Sequence, residues 1–196
     1  MTKEFLLAWF LVMFPLVYSP GPANTLFASN GAKFGFRRSM PFMTGIDIAF
    51  VLQSLLVGLG LSEMLLAFPQ LLTIFRWLGI AYIAYLGASF MRTAMGQAAE
   101  QPHCLSFRDG MVVTALNPKA WVMQVMMFSQ FFSPGDTWMA DVLTLTFLLS
   151  ALNISGHVVW ILFGSVLLSR ATGRFSARHQ NMLFAFMLFG SIAFLH

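Results

Sequence analysis

The sequence predicts an all-α integral membrane protein with six transmembrane helices, and its composition and its hydrophobic pattern both indicate this class. Of the 196 residues, 58% are apolar and only 9% are charged, whereas soluble domains carry roughly 25% charged residues. Apolar runs recur along the chain, separated by short polar segments, and six spans of about 20 residues each would fit within its length. The predicted spans are residues 5–30, 40–61, 71–91, 111–132, 138–168 and 181–195.

The starts of the spans carry the signals expected of helices. The first run follows Lys3 but is not trailed by a cleavage site and a polar mature domain, so it is interpreted as a retained span rather than a signal peptide. Ser39 and a nearby proline open the second span, and Pro69 precedes the third. Ser106 and Asp109 have the spacing of a capping box ahead of the fourth.

Basic residues predict the orientation. Eight of the 11 Lys and Arg residues lie in the loops after spans one, three and five. Because cytoplasmic loops are enriched in Lys and Arg, these loops are expected in the cytoplasm and both termini in the periplasm. The eight residues are Lys33, Arg37, Arg38, Arg92, Arg108, Arg170, Arg174 and Arg178.

Several functional classes are excluded by the same composition. A single cysteine, Cys104, cannot form an internal disulfide and argues against cysteine-built metal sites. The net charge of +4 is explained by cytoplasmic loops, so no nucleic-acid partner is expected. The chain has no phosphate-binding loop of the ATPase type, and no cofactor is predicted. Uphill transport would therefore use an ion gradient or a separate motor subunit.

Two proline motifs suggest an internal repeat. Ser19-Pro20-Gly21-Pro22 lies in span one and Asn117-Pro118-Lys119 in span four, about half the chain apart. Three spans per half is an odd number, so a duplicated unit would cross the membrane in opposite senses, as in many secondary transporters. The prediction is one transporter domain, 1–196, with inverted halves 1–98 and 99–196 and interrupted helices one and four. Prolines in spans also arise without duplication, which leaves an unrepeated fold open.

The first proline motif is expected to break its helix at mid-depth. Each proline lacks an N–H and biases the preceding residue, Ser19 or Gly21, toward extended geometry. The carbonyls of Leu16 and Tyr18 would then lose their helical partners. A helix resuming near Ala23 would direct its amides at a cavity, where a carboxylate is favoured. The alternative is a kink that serves packing alone.

The second motif adds a charge inside a span. A lone Lys at this depth costs about 2.5–3.5 kcal/mol on insertion scales, so Lys119 needs a counter-charge, water or an anionic ligand. Asp47 is the expected partner, because it is the only carboxylate deep within a span. Pro118 would also free the carbonyl of Thr114, and Asn117 can bond loose backbone groups. The Asp47 to Lys119 pair either holds helices together permanently or is opened by substrate or by protonation.

Other polar residues have two interpretations each. Asn153 and His157 share a stripe of span five with small residues, which indicates either a helix-packing seam or a cavity wall with His157 as a proton relay. Tyr82 in span three lines the cavity or packs as an ordinary aromatic residue.

Five motifs together resemble the LysE/RhtB family of bacterial amino-acid exporters over nearly the whole chain. They are Ser-Pro-Gly-Pro-Ala-Asn at 19–24, Phe-Gly-Phe-Arg-Arg at 34–38, Gly45 with Asp47, the Arg-Trp-Leu-Gly run at 76–87, and Leu-Asn-Pro-Lys at 116–119. The resemblance implies six helices in the bacterial inner membrane and efflux of amino acids or close derivatives in exchange for protons. The short loops resemble the branch that exports cysteine and O-acetylserine.

The resulting hypothesis is a secondary exporter, not an enzyme, with one central site. Its partners would be an amino acid or derivative, protons and the lipid bilayer, and a homo-oligomer is left open. A passive channel, a structural membrane subunit and, less favoured, a membrane-embedded enzyme are the alternatives. Asp47, Lys119 and His157 are the candidates for proton coupling. The candidate substrate-binding residues are Ser19, Pro20, Gly21, Pro22, Asn24, Asp47, Tyr82, Asn117, Pro118, Lys119 and Asn153.

Overall fold

The computed structural model describes residues 2–19, 21–61, 103–132 and 137–168 continuously, with isolated positions between 70 and 92 and between 179 and 189. Every regular element in these ranges is helical. Five α-helices are labelled here in chain order: α1 (Lys3–Tyr18), α2 (Pro22–Leu56), α3 (Phe107–Leu116), α4 (Pro118–Phe131) and α5 (Trp138–Leu162). Most of the predicted third and sixth spans, and both Pro20 and Tyr82, lie outside the described residues.

The first predicted span is two helices separated by a short break. Helix α1 is capped by Thr2, whose hydroxyl accepts the Phe5 N–H at 3.2 Å. It ends at Ser19, which has φ −61° and ψ 146°, and Gly21 is also extended at φ −166° and ψ 176°. Both residues precede prolines and take the geometry that a following proline favours. Helix α2 then begins at Pro22. The first N–H groups of a helix have no acceptor within it, so the missing N–H of this proline costs no helical hydrogen bond.

Helix α2 contains a turn at Gly35, where φ is 78° and ψ is 174°. Only glycine adopts this left-handed conformation without steric cost, so one residue replaces a longer loop between the first two spans. The second part of α2 therefore starts directly after Gly35. The predicted start at Ser39 is too late: its hydroxyl already donates to the Gly35 carbonyl at 2.9 Å, inside the first helical turn.

The fourth predicted span is also broken. The capping box at the start of α3 is confirmed, because the Asp109 carboxylate accepts the Ser106 N–H at 2.7 Å and the Ser106 hydroxyl accepts the Asp109 N–H at 3.4 Å. Helix α3 ends at Asn117, with φ −80° and ψ 105°. Helix α4 begins at Pro118, and the Asn117 side chain caps it by accepting the Lys119 N–H at 3.1 Å.

Helices α2 and α5 each end in a π-helical segment, Val57–Leu61 and Phe163–Leu168. The second residue of each segment is a glycine at a tight helix contact. A Cβ on Gly164 would overlap the Ala28 carbonyl of α2, and one on Gly58 would lie 2.7 Å from the Phe128 ring of α4. Gly58, in the first half of the chain, contacts α4, the helix that follows the second break. Gly164, in the second half, contacts α2, the helix that follows the first break.

Large apolar side chains cover much of the outer surface of these helices. Examples are Leu7 and Leu11 on α1 and Leu143 and Phe147 on α5, with Phe147 70% exposed. Extended apolar surface of this kind suits lipid rather than water. Among the described residues, two helical stretches, Pro22–Gly60 and Trp138–Val166, are long and apolar enough to cross a membrane. The breaks divide the first and fourth predicted spans into pieces shorter than this.

Candidate functional site

A cavity of about 420 Å³, counting the space at its open side, lies where the two breaks meet helices α2 and α5. Its walls combine polar side chains with apolar ones such as Phe50 and Met123, as small-molecule sites commonly do. The geometry brings together residues from four predicted spans that sequence alone could place only at a common depth. The predicted site residues that line the cavity are Gly21, Pro22, Asn24, Asn117, Lys119, Asn153 and His157.

Lys119 joins the two breaks. Its ammonium donates to the Ser19 hydroxyl at 2.8 Å and to the Ser19 carbonyl at 3.1 Å. Gly21 provides the room, because a Cβ there would lie 3.2 Å from the Lys119 Nζ. The predicted ion pair between Lys119 and Asp47 is therefore wrong: the lysine bonds the broken backbone of the other half instead.

Asp47 pairs with His157. The Asp47 Oδ1 and His157 Nδ1 atoms are 2.8 Å apart, the single ion pair among the described residues. The two side chains are 15% and 3% exposed, and the Phe27 ring lies 4.4 Å from the imidazole between centroids. His157 lines the cavity, whereas Asp47 does not line it and is connected to it by the hydrogen bond with the imidazole.

Side chains satisfy most of the carbonyls that the breaks release. The Asn24 Nδ2 donates to the carbonyls of Val17 and Ser19, both at 2.9 Å. The expectation of free carbonyls at Leu16 and Thr114 is wrong. The Leu16 carbonyl accepts the Ser19 hydroxyl at 2.9 Å, and the Thr114 carbonyl accepts the Asn117 N–H at 3.1 Å.

The two helix starts at the cavity differ in their caps. Helix α4 is capped by the Asn117 side chain, whereas Gly21, the N-cap of α2, supplies no side-chain bond. Within the described part of the chain, the first amides of α2, at Ala23 and Asn24, have no capping acceptor, and they belong to residues that line the cavity. A helix start of this kind favours an anion.

The stripe on α5 contains both helix contacts and cavity-lining residues. Gly156 packs closely against α1, since a Cβ on this glycine would lie 3.1 Å from the Val17 side chain, and Gly164 packs against α2. Asn153 and His157, on either side of Gly156, line the cavity. The Asn153 side chain has no hydrogen-bond partner among the described residues, which leaves its amide able to bind a ligand.

Phe50 and Met123 are among the cavity residues that were not predicted as site residues; the others are Val17, Ala23, Ile46, Thr114 and Ala120. Phe50 lies one helical turn from Asp47, so the helical period could have identified it. Met123 lies one turn beyond Lys119 in the same way. Among the described residues, no three His, Cys, Asp or Glu side chains lie close enough together to hold a metal ion.

Two broken helices that enclose a polar cavity within an apolar helical bundle define a class of protein, the membrane transporters. The sequence model of the LysE type translocators matches residues 14–195. This chain belongs to the LysE type translocator family. It is therefore a transmembrane transport protein and not an enzyme, as the sequence predicts.

Relatives align along nearly the full chain. A protein of Vibrio cholerae, named an uncharacterized membrane protein, is 28% identical over 92% of this chain and 87% of its own length. The cysteine/O-acetylserine efflux protein of Escherichia coli strain K12 is 27% identical over 96% of this chain and 95% of its own. The protein of the same name from Shigella sonnei aligns to the same extent. No solved structure matches this chain.

Proposed function

We propose that this protein is a secondary exporter of small amino acids or their close derivatives across the bacterial inner membrane. The observation that carries the proposal is the cavity in which Lys119 and the uncapped start of α2 lie together. Family membership supports export, and the cysteine/O-acetylserine efflux relatives support an amino-acid substrate. A transporter of this class would bind one small zwitterion at a time.

The substrate carboxylate would be held at the start of α2. The N–H groups of Ala23 and Asn24 lack a side-chain cap there, and the Lys119 ammonium reaches the same break. A carboxylate would accept hydrogen bonds from these amides and attract the lysine. Charge-assisted bonds of this type are roughly twice as strong as neutral ones.

The substrate ammonium would be held near Asn153 and His157. The amide oxygen of Asn153 and the pair of Asp47 with His157 lie there, and Asp47 supplies the negative charge. Proton uptake by this pair would change its charge by one unit and weaken its hold on the ammonium. Competition between proton and substrate at one pair is sufficient for antiport.

The proposed topology has six spans with both termini in the periplasm. The basic residues support this orientation. An inverted repeat is supported by the two proline breaks, the two π-helical segments and the reciprocal contacts of Gly58 and Gly164. Alternating access would then move one half against the other around the cavity.

Transport into everted membrane vesicles tests the proposal. Vesicles that contain the protein should accumulate radiolabelled O-acetylserine or cysteine, and a proton gradient should increase the accumulation. Lys119→Gln should raise the KM for the amino acid, while Lys3→Gln, at an exposed site on α1, should leave it unchanged. Accumulation no greater than in vesicles without the protein, across a panel of the common amino acids, would refute amino-acid export.

Proton coupling is tested separately. Asp47→Asn should export without a response to the gradient, whereas Glu4→Gln, an exposed carboxylate on α1, should respond as the wild type does. A passive channel predicts flux that does not saturate with substrate. An undiminished gradient response in Asp47→Asn would remove Asp47 from the coupling mechanism.

A further inference from the structure

A second group of buried polar side chains lies next to the cavity and takes no part in the site described above. We call it the glutamine cluster. Its members are fully or nearly fully buried, from 0% exposed for Gln124 to 9% for Ser150. They come from three helices: Gln53 and Ser54 of α2, Gln124 of α4, and Thr146 and Ser150 of α5.

Only part of the cluster's hydrogen-bonding capacity is used by the protein. The hydroxyls of Ser54 and Thr146 bond each other at 3.1 Å, and the Gln124 Nε2 donates to the Phe50 carbonyl at 3.2 Å. The other polar side-chain atoms have no partner among the described residues: both ends of the Gln53 amide, the Gln124 Oε1 and the Ser150 Oγ.

Unpartnered atoms of this kind are expensive, since each buried donor or acceptor without a bond costs about 1–3 kcal/mol. Folded proteins carry only a few, and each needs an explanation. Apolar residues of similar size would pack here without that cost. A polar ligand that passes through the cluster would supply the missing hydrogen bonds.

The cluster continues directly from the cavity. On α5, Ser150 lies one helical turn from the cavity residue Asn153, and Thr146 lies one turn further. On α2, Gln53 follows the cavity residue Phe50 by one turn. At 1.5 Å per residue, the polar row from Asn153 to Thr146 extends the site by about 10 Å.

An apolar contact closes the far end of the row. Val57, Phe128 and Val142 are almost fully buried there. A Cβ on Gly58 would come within 2.7 Å of both Phe128 and Val142, so this packing leaves no passage. This end is opposite to the basic turn at Gly35, so it is the end that the distribution of Lys and Arg assigns to the periplasm.

We propose that the glutamine cluster is a second binding station for the exported amino acid, between the central cavity and the periplasmic end. This rests on the proposed export function. Amide and hydroxyl groups both donate and accept hydrogen bonds, so the cluster can bind the ammonium and the carboxylate of one zwitterion. These groups do not exchange protons near neutral pH, so the station serves the substrate and not the coupling proton. Having no charge, it binds weakly enough to release.

Export kinetics test the station. The double variant Gln53→Met with Gln124→Met should slow the export of radiolabelled O-acetylserine at least about tenfold, the effect of one lost hydrogen bond to a charged group. Binding of the same compound to the purified protein should stay close to the wild-type Kd, because neither glutamine side chain lines the central cavity. Gln130→Met, at an exposed position of α4, is the matched control. Wild-type export by a folded double variant would overturn the proposal.

Thiol labelling tests the same path without a transport assay. In a Cys104→Ser background, Ser150→Cys should react with a small cationic methanethiosulfonate added from the periplasmic side, once the protein reaches the outward-open state that alternating access requires. Leu149→Cys, its fully buried apolar neighbour, should not react. If neither cysteine reacts with the reagent, the proposed polar path is wrong even if export is intact. Selective labelling at position 150 in a protein that exports no amino acid would support a polar path and refute the proposed substrate.

Discussion

Replacement of Asn24 by leucine should destabilise the protein strongly, although the two side chains are similar in size. Asn24 is 5% exposed, and its Nδ2 donates to the carbonyls of Val17 and Ser19. Without it, the Ser19 carbonyl keeps the Lys119 ammonium as a donor, but the Val17 carbonyl loses its bond. The lost bond to the Ser19 carbonyl, which Lys119 also serves, is worth about 0.5–1.5 kcal/mol, and the Val17 carbonyl, buried without a donor, costs about 1–3 kcal/mol. The expected loss is about 2–4 kcal/mol.

Asn153→Leu is the matched comparison for Asn24→Leu. Asn153 is 6% exposed and lines the same cavity, but its side chain has no partner among the described residues. Its replacement removes no internal bond, so the free energy of unfolding should change by less than about 1 kcal/mol. Under the proposed function, the same variant should bind amino acids more weakly.

Reversible unfolding in mixed micelles with increasing sodium dodecyl sulfate, followed by circular dichroism, measures both variants under the same conditions. Asn24→Leu should unfold at clearly lower denaturant than Asn153→Leu. If the two variants unfold together, the Asn24 amide does not hold the break, and the account of the released carbonyls is incorrect.

Three further predictions concern packing, capping and coupling. Gly164→Val should prevent folding, because its side chain would overlap the Ala28 carbonyl; a monodisperse protein at wild-type yield would contradict this. Ser106→Ala should cost about 1 kcal/mol and speed hydrogen exchange at the start of α3; unchanged exchange would argue against the capping box with Asp109. His157→Gln should make export in proteoliposomes insensitive to an imposed pH gradient; a wild-type response would exclude this imidazole from coupling.

Local rules account for the features that the sequence predicts well. The breaks at Ser19 and Asn117 follow from the prolines after them, whose effect reaches only the neighbouring residues. The capping box of Ser106 and Asp109 is local in the same way. The sparse charges also identify the membrane class, because burial of charge in lipid is costly in any fold.

The sequence could not predict which polar side chains of different helices bond to each other. Asp47 and the Pro118–Lys119 motif could be given similar depths, but the rotation of each helix about its axis decides which side chains meet. That rotation is set by close contacts such as those of Gly31 and Gly164, where α2 approaches α5 too closely for a side chain. As a result Asp47 meets His157, and Lys119 meets the first break.

The glutamine cluster escaped prediction for a different reason. Charged residues and prolines stand out in an apolar span, whereas Gln53 and Gln124 are uncharged and lie among many apolar residues. Only burial and the unmade hydrogen bonds distinguish them from glutamines at a surface such as Gln130. Both properties require the packed structure.

The bond between Lys119 and Ser19 joins groups 100 residues apart in the chain. During synthesis the first break therefore enters the membrane long before its ammonium donor is made. Until then Asn24 is the only described side chain that donates to the Ser19 carbonyl, and the Ser19 hydroxyl lacks the ammonium that it accepts in the folded protein. Chains that stop before residue 119 would keep this exposed polar break in the bilayer, a feature by which membrane quality control could recognise them as incomplete.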